Sequence, residues 1–248
     1  MSLDFSLTGR RALVTGASTG IGQAIAVGMA EAGATVVCVD RAACEETVAR
    51  IAAEGGRAAQ VVLDLTKRGA IDKLMAEAGD VDILVNCAGM IRRADALDFT
   101  EEDWDQVMDI NLKAVFFLSQ AFGRAVIGRG AMGAIINIAS MLSFQGGIRV
   151  PSYTASKSGV AGLTKLLANE WAAKGINVNA IAPGYIATNN TAALRANAER
   201  SKAILDRIPA GRWGEPEDIA GAAVFLASPA ARYVQGAIFN VDGGWLAR

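Results

Sequence analysis

The chain of 248 residues is long enough for one large α/β domain or two small ones. Hydrophobic residues make up 52% of it and charged residues 20%, a balance that excludes a disordered chain and indicates a folded globule. The formal net charge is −1 and no run of basic residues occurs, so the composition disfavours nucleic acid as a partner and favours a small molecule.

The beginning of the chain, MSLDFSLTGRRALVTG, carries an acidic residue early and does not resemble a secretory signal. No window approaches the about 20 apolar residues that span a bilayer. We therefore expect a cytoplasmic protein. The cysteines, Cys38, Cys44 and Cys87, lack the CxxC spacing of zinc or redox sites and the chain contains no histidine, so we expect no metal and three buried reduced thiols.

Short β-branched runs alternate with helical patterns in the first third of the chain. The strand ALVTG is followed by the helix GIGQAIAVGMAEAG, the strand TVVCVD, the helix CEETVARIAAEG and the strand AAQVVLDL. This alternation predicts βαβ units and a parallel sheet.

The same alternation continues to the end of the chain. VDILVNCAG, a long helix from Glu101 to about Arg129, GAIINIAS, a helix near Tyr153, INVNAIAPG and GAIFNVDGG follow in turn. The seven strands are continuous apolar runs, which predicts helices on both faces of the sheet. Since no linker divides the chain, we expect a single domain over residues 1–248, in which the interruption at about 185–215 is a substrate lid.

A glycine-rich turn, VTGASTGIG, joins the first strand to the first helix. Its spacing is GxxxGxG, which differs from the usual GxGxxG. Glycines at 16, 20 and 22 permit a tight turn and a close approach of the backbone to a pyrophosphate at the helix N-terminus. The position after the first strand therefore predicts a dinucleotide site.

Asp40 ends the second strand, where a carboxylate holds the ribose hydroxyls of NAD. The same charge repels the additional phosphate of NADP, although Arg41 beside it is suited to hold that phosphate. We expect NAD, with an NADP-linked enzyme as the alternative.

Tyr153 and Lys157 stand four residues apart, on one face of a helix. Bringing a phenol from its pKa of about 10 to neutrality requires about 4 kcal/mol. An ammonium at about 4 Å supplies roughly that amount at an effective dielectric constant of about 20. Tyr153 is therefore a candidate acid and base that replaces histidine, and the alternative is a packed ring beside a solvated amine.

Two further polar residues are placed to assist this pair. Ser140 ends the strand GAIINIAS, where its hydroxyl is suited to a hydrogen bond with the substrate oxygen. Asn111 lies in the long helix, and a buried amide there needs partners.

Together, TGASTGIG, NCAG, Asn111, Ser140, YTASK and the Pro183–Gly184 pair resemble the short-chain dehydrogenase/reductase family in order and spacing over nearly the whole chain. The resemblance implies a single Rossmann-like α/β domain with strand order 3-2-1-4-5-6-7, usually a homotetramer. It also implies that Tyr153 is the acid and base, that Lys157 holds the nicotinamide ribose, that Ser140 orients the substrate oxygen and that Asn111 supports a water relay. Cys87 departs from the family, which more often has asparagine there.

The resemblance further implies the residues that contact the dinucleotide. They are Gly16, Ser18, Thr19, Gly20 and Ile21 at the pyrophosphate and ribose, Asp40 at the other ribose, Asp64 and Leu65 at the adenine, Asn86, Ala88 and Gly89 at the middle, and Tyr153, Lys157, Pro183, Gly184, Ile186 and Thr188 at the nicotinamide end.

Arginines near the reacting end suggest an acidic substrate, because a guanidinium pairs with a carboxylate through two hydrogen bonds. Arg149 lies between Ser140 and Tyr153, and Arg92 and Arg93 follow the fourth strand. We expect Arg149 to be the main anchor, although an arginine solvated at the surface is the alternative. The other expected substrate residues are Gln145, Asn190 and Trp213.

Longer stretches outside the general motifs, such as SMLSFQGGIRVPSYTASKSG and ILDRIPAGRWGEP, resemble family members that act on deoxy sugar acids. This implies NAD-linked hydride transfer between a hydroxyl and a ketone of an acyclic sugar acid. A reductase of another sugar acid, a polyol or a 3-oxoacyl thioester is the nearest alternative. A dinucleotide-binding scaffold without catalysis is an alternative of a different class.

Overall fold

A parallel sheet of seven strands runs through the computed structural model, which describes residues 4–248. Its strands are β1 (Arg11–Thr15), β2 (Thr35–Asp40), β3 (Arg57–Val62), β4 (Ile83–Asn86), β5 (Gly133–Ile138), β6 (Ile176–Pro183) and β7 (Ile238–Val241). They pair in the order β3-β2-β1-β4-β5-β6-β7, so both the predicted number of strands and their predicted order are confirmed.

Helices connect the strands. They are α1 (Gly20–Glu31), α2 (Glu45–Ala53), α3 (Ala70–Ala78), α4 (Glu101–Met108), α5 (Ala114–Gly128), α6 (Pro151–Trp171), α7 (Ala192–Ala196), α8 (Ala198–Leu205) and α9 (Glu217–Ala227). A π-helical turn at Asp109–Lys113 joins α4 to α5, and short 3-10 turns occur at Met141–Ser143, Asn189–Thr191 and Trp245–Ala247, among others.

Two apolar layers hold these helices on opposite faces of the sheet. Val14 packs with α1 and α9 on one face, whereas its neighbour Leu13 packs with α5 and α6 on the other, as expected when successive strand residues point in opposite directions. The edge strands differ, because Val62 of β3 is 53% exposed and Phe239 of β7 is 43% exposed. The expected coverage of both faces therefore holds for the interior strands only.

The helical run Glu101–Gly128 was not expected to meet the criteria of a membrane span. Its length of 28 residues and the mean hydropathy of 1.2 of an 18-residue window within it do meet them, by length and composition alone, so that expectation was wrong. Leu118, Phe122 and Val126 of this run are buried against the sheet. Burial in the core explains its apolar character.

The strand order reverses where β1 lies between β2 and β4. Loops that leave the carboxyl ends of these strands diverge to opposite faces, and this opens a crevice where ligands of such sheets bind.

Candidate active site

A cleft of about 1240 Å³ occupies this crevice. The loops after β1 to β4, the start of α6 and the segment after β6 form its walls. The predicted residues that line it are Gly16, Ser18, Thr19, Gly20, Ile21, Asp40, Asp64, Leu65, Ala88, Gly89, Tyr153, Lys157, Thr188 and Asn190.

The glycine-rich turn comes very close to the backbone that surrounds it. Gly16 has a φ of +71°, and a Cβ on it would lie 2.9 Å from the Cα of Ala88. A Cβ on Gly22 would collide with the carbonyl oxygen of Gly16. The turn can therefore bring the start of α1 to the cleft, where the free N–H groups of a helix N-terminus favour an anion.

Asp40 is fixed against this turn. Its Oδ2 accepts hydrogen bonds from the Ser18 hydroxyl at 2.7 Å and the Ser18 N–H at 3.2 Å, and its Oδ1 accepts one from the Ala42 N–H at 3.3 Å. Arg41 is exposed and lines the same cleft. The two residues expected to decide between NAD and NADP therefore share one wall.

The carboxylate of Asp64 turns back onto its own loop. It accepts hydrogen bonds from the Thr66 hydroxyl at 2.7 Å and the Thr66 N–H at 3.0 Å, and these two bonds lower the pKa of Asp64. Its neighbour Leu65 is only 9% exposed and packs within the core. It therefore offers less surface to the cleft than we expected of a residue at the adenine.

Tyr153 and Lys157 both reach the cleft from the first turns of α6. Pro151 begins this helix, in the position where its missing N–H costs nothing. The Nζ of Lys157 lies 5.7 Å from the centre of the Tyr153 ring and donates to the Ile138 carbonyl at 2.6 Å. Burial lowers the pKa of Lys157 to about 8, so its charge is held at some cost near neutrality.

The acidity of Tyr153 depends on more than the lysine. Burial, the largest effect, raises the pKa of Tyr153, whereas a hydrogen bond with Ser140 and the charge of Arg93 lower it. Desolvation thus acts against the effect expected of the Lys157 ammonium, and the four-residue spacing of the two side chains does not reveal it.

Ser140 lies beside Tyr153 because it begins the turn after β5. Its Oγ accepts from the Leu142 N–H at 3.1 Å, and its side chain is 7% exposed. The Ser143 hydroxyl in the same turn donates to the Lys157 carbonyl at 2.7 Å. The turn is therefore tied to the helix that carries the other two groups.

Asn111 is completely buried in the π-helical turn and contacts the chain that follows β4. Its Oδ1 accepts from the Met90 N–H at 2.9 Å and its Nδ2 donates to the Met90 carbonyl at 2.9 Å. π-helical turns inside α-helices frequently occur at functional sites.

Asn86 was expected at the middle of the dinucleotide, but it is not among the residues that line the cleft. It is 4% exposed and donates from Nδ2 to the Ser119 hydroxyl at 3.0 Å and to the Asn137 Oδ1 at 2.8 Å, and Asn137 in turn donates to the Thr164 hydroxyl at 3.0 Å. It therefore belongs to a polar chain that connects α5, β4, β5 and α6 through the core.

Pro183, Gly184 and Ile186 also lie outside the cleft walls. Gly184 approaches Asp242 so closely that a Cβ on it would lie 2.7 Å from the Asp242 Cα, and Ile186 is 4% exposed within the core. These residues direct the chain to Ala187 and Thr188, which do line the cleft.

The predicted substrate residues are only partly brought together. The side chain of Arg149 is 61% exposed, and its Nε lies 3.2 Å from the Oδ1 of Asp95. Gln145 accepts a hydrogen bond from the indole of Trp245. The ring of Trp213 packs edge-on against the ring of Tyr185, with 5.5 Å between the ring centres. None of these three predicted residues is in the cleft walls, whereas Asn190, the fourth predicted substrate residue besides Ser140 and Tyr153, lines the cleft.

A different arginine approaches the reacting end. The NH2 group of Arg93 donates to the Asn190 carbonyl at 2.9 Å, and its charge lowers the pKa of Tyr153. Arg93 follows the NCAG motif at the end of β4, on the rim where the sequence had placed it.

Other residues of the cleft wall were not identified from the sequence. They are Cys87, Met90, Glu102, Asp105, Gln106, Asp109, Ile110, Ile138, Ala187, Asn189 and Arg195, among others, whereas Arg92, which the sequence did single out, also lines the cleft. The polar residues of α4 recur at helical spacing, which is a usable signal, but the same pattern is typical of a solvated helix face. Across residues 4–248, no group of His, Cys, Asp and Glu side chains is arranged to hold a metal ion, and Cys38, Cys44 and Cys87 are free thiols, of which Cys87 is only partly buried.

Comparison with known proteins agrees with this architecture. Residues 16–246 match the family model described as enoyl-(acyl carrier protein) reductase. The chain belongs to the short-chain dehydrogenase/reductase family of oxidoreductases.

Several of its relatives are named for sugar acids. The chain is 59% identical over 248 residues to the 2-dehydro-3-deoxy-D-gluconate 5-dehydrogenases of Dickeya dadantii and Escherichia coli, with 98% of each chain covered. A solved structure from Agrobacterium tumefaciens with bound NADP, provisionally described as a 2-deoxy-D-gluconate 3-dehydrogenase, is 68% identical, with a TM-score of 0.97 and complete coverage of both chains. A gluconate 5-dehydrogenase from Burkholderia cenocepacia, in complex with NADP and tartrate, is 43% identical, with a TM-score of 0.92 and coverage of 99% and 98%.

Proposed function

We propose that the protein is a nicotinamide-dinucleotide-linked dehydrogenase that interconverts 2-dehydro-3-deoxy-D-gluconate and its 5-ketone. The 59% identity to dehydrogenases of that name over nearly the whole chain supports the substrate. The observation that carries the chemistry is the convergence of Tyr153 and Lys157 at one cleft with the glycine-rich turn, with Ser140 hydrogen-bonded to Tyr153.

The residues of the cleft fit a dinucleotide. The turn leaves no room for a Cβ at Gly16 or Gly22 and suits a pyrophosphate, and Asp40 suits a ribose. When bound, the nicotinamide accepts or returns a hydride at C5 of the sugar acid.

The side chains handle the proton. In oxidation, ionised Tyr153 accepts the proton of the C5 hydroxyl as the C5–H bond breaks, and the hydroxyl becomes a ketone; in reduction, the neutral phenol returns that proton. Ser140 orients the substrate oxygen by a hydrogen bond. Lys157 stabilises the ionised form of Tyr153, and Asn111 supports the exchange of the proton with solvent.

We propose NAD as the preferred dinucleotide. The support is the carboxylate of Asp40, held by Ser18 at the wall where the 2′-phosphate of NADP would lie. Several related structures contain NADP, among them the two described above, and Arg41 is available to a phosphate at the same wall. Initial rates with both dinucleotides decide between the two.

We place the substrate carboxylate near Arg93 in preference to Arg149. Arg93 is close enough to influence Tyr153, whereas Arg149 is engaged by Asp95. Arg93→Met should raise the KM for the acid at least about tenfold, as expected for the loss of a charged hydrogen bond, while Arg149→Met should leave it unchanged. The reverse result would restore Arg149 as the anchor.

The decisive experiment is an assay of NADH and NADPH formation with 2-dehydro-3-deoxy-D-gluconate, 2-deoxy-D-gluconate, D-gluconate and galactitol. We expect the first compound to have the highest kcat/KM and the Tyr153→Phe variant to be inactive. The 68% identity to the Agrobacterium protein makes oxidation at C3 of 2-deoxy-D-gluconate the second candidate. Carbon NMR of the product distinguishes a ketone at C5 from one at C3.

Three broader properties belong to the same proposal. The segment 185–215, which contains α7 and α8, covers the substrate end as a lid.

The half-exposed side chains Phe117 and Leu166 on α5 and α6 suit contacts between subunits of a homotetramer in the cytoplasm. Light scattering of the purified protein measures the number of subunits.

A further inference from the structure

The last turn of the chain contacts both segments that enclose the reacting end of the cleft. Trp245 is 5% exposed, and its ring lies 4.8 Å from the ring of Tyr185 and 4.0 Å from the guanidinium carbon of Arg207. Tyr185 begins the segment that leads to Thr188 in the cleft wall. A C-terminal residue is therefore packed directly behind that wall.

The same indole reaches the turn that begins with Ser140. Its Nε1 donates to the Oε1 of Gln145 at 3.2 Å. Gln145 lies between Ser140 and Tyr153 in sequence, and its own N–H donates to the Met141 carbonyl at 3.3 Å. Its neighbours in this stretch, Phe144 and Gly146, are exposed, whereas Gln145 is half-buried.

The direction of the Gln145 amide follows from the chemistry of its partner. An indole nitrogen only donates, so the atom that faces Trp245 must be the amide oxygen. The NH2 group then points away from the indole, and within residues 4–248 it donates to no protein acceptor. Two hydrogen-bond donors are thus left free on the loop that begins with Ser140, which, like Gln145, is not among the residues of the cleft wall.

The position of Trp245 is itself fixed. Asp242 accepts from the Gly244 N–H and the Leu246 N–H, each at 2.9 Å, and the Ala210 N–H donates to the Gly243 carbonyl at 3.0 Å. The indole is therefore held by a closed turn and by the chain that follows α8.

We infer that Gln145 binds an oxygen of the hydroxy-acid substrate through its NH2 group and that Trp245 is a positioning residue that orients this amide. The inference rests on the proposed sugar-acid substrate and goes beyond it, because it assigns substrate selection to a contact between the C-terminal turn and the loop after β5. Loss of the indole N–H frees the amide to rotate, so that its oxygen faces the substrate oxygens about as often as its NH2 group does.

A double-mutant cycle tests the inference, with tartrate as the probe because a 43% identical relative contains it. Dissociation constants of tartrate are measured by calorimetry, in the presence of NAD and of NADP, for the wild type, Trp245→Phe, Gln145→Met and the double variant. Phenylalanine keeps an aromatic ring against Tyr185 and removes the donor together with part of the ring volume. We expect each single variant to bind tartrate about three- to tenfold more weakly, as for one lost hydrogen bond, and the double variant to bind no more weakly than Gln145→Met.

Trp171→Phe is the matched control. This indole packs against Gly123 at the other end of α6, about 27 Å along the helix from Tyr153. Its loss should lower stability without changing tartrate affinity or the affinity for NADH. In turnover assays, Trp245→Phe should raise the KM of the sugar acid and leave kcat unchanged.

Three results would overturn the inference. They are a wild type that does not bind tartrate with either dinucleotide, an unchanged affinity in Trp245→Phe, and effects of the two substitutions that simply add. Because tartrate binding does not require turnover, a protein that fails to oxidise 2-dehydro-3-deoxy-D-gluconate contradicts the proposed function while the cycle still gives a result.

Discussion

The side chain of Asn111 holds both the N–H and the carbonyl of Met90, each at 2.9 Å. The same Nδ2 donates to the Ser156 hydroxyl at 3.3 Å. One buried amide thus fixes the chain after β4 to α6, the helix that carries Tyr153 and Lys157.

Replacing Asn111 by leucine should therefore lower the free energy of unfolding by about 1 to 3 kcal/mol, since two half-buried main-chain groups of Met90 lose their partners. Asn111→Asp keeps an acceptor for the Met90 N–H but buries a carboxyl group against the Met90 carbonyl oxygen, so its cost at neutral pH should be at least as large. Urea denaturation measures both. Equal stability of the leucine variant and the wild type would contradict this account.

Lys157 should make stability depend on pH in an unusual direction. Burial lowers its pKa from 10.5 to about 8, so between these values the unfolded chain binds more protons than the folded one. The contribution of Lys157 to the free energy of unfolding is thus lowest below pH 8. Between pH 8 and 10.5 it rises by about 1.4 kcal/mol for each pH unit. Burial also raises the pKa of Cys87 from 9.0 to about 12. The contribution of Cys87 to stability therefore falls as the pH rises, but only above about pH 9.

Between about pH 7.5 and about pH 9, the wild type should therefore gain about 1 kcal/mol relative to Lys157→Met. The methionine variant fills the same space without a charge. Urea denaturation at several pH values gives the difference, and a constant difference across this range would contradict the lowered pKa.

Removing the charge of Asp40 should widen the choice of dinucleotide. Asp40→Asn keeps an oxygen that accepts from the Ser18 hydroxyl, at 2.7 Å in the wild type, but removes the repulsion of the 2′-phosphate. We expect the KM for NADP to fall at least about tenfold, because a unit charge at contact distance contributes more than 1.4 kcal/mol at an effective dielectric constant of about 20. Rates with both dinucleotides are the measurement, and an unchanged ratio of kcat/KM would exclude Asp40 as the determinant.

Asn86 should prove to be a residue of stability and not of dinucleotide binding. Asn86→Ala leaves the Asn137 Oδ1 without its donor at 2.8 Å, and such a loss typically costs about 1 to 3 kcal/mol. The dissociation constant of NADH, measured by fluorescence on the folded variant, should stay at the wild-type value. A weaker binding of NADH without loss of stability would return Asn86 to the cofactor site.

The fold was largely predictable because its signals are local. Continuous apolar runs such as ILVN of β4, which is wholly buried, indicate interior strands of a parallel sheet. The exposed edge strand β3 was also recognised as a strand, but its exposure depends on its place in the sheet, which a single segment does not encode.

The site was less predictable where the direction of a side chain decides whether the residue reaches the cleft. Arg149 has the right position in sequence, but it adopts a φ of +64° and pairs with Asp95. Asn86 lies at the correct strand end and points into the core. Spacing places a residue at the end of a strand, whereas the packing of neighbouring helices decides which way its side chain points.

The steric crowding around Gly16 and Gly22 arises from the protein's own backbone and not from any bound molecule. A descendant that lost its affinity for dinucleotides would therefore still be obliged to retain both glycines in order to fold. In distant relatives, the presence of both glycines is consequently weak evidence that the protein still binds a dinucleotide. The polar side chains of Ser18 and Asp40 are not required by such crowding, so their presence is the better evidence.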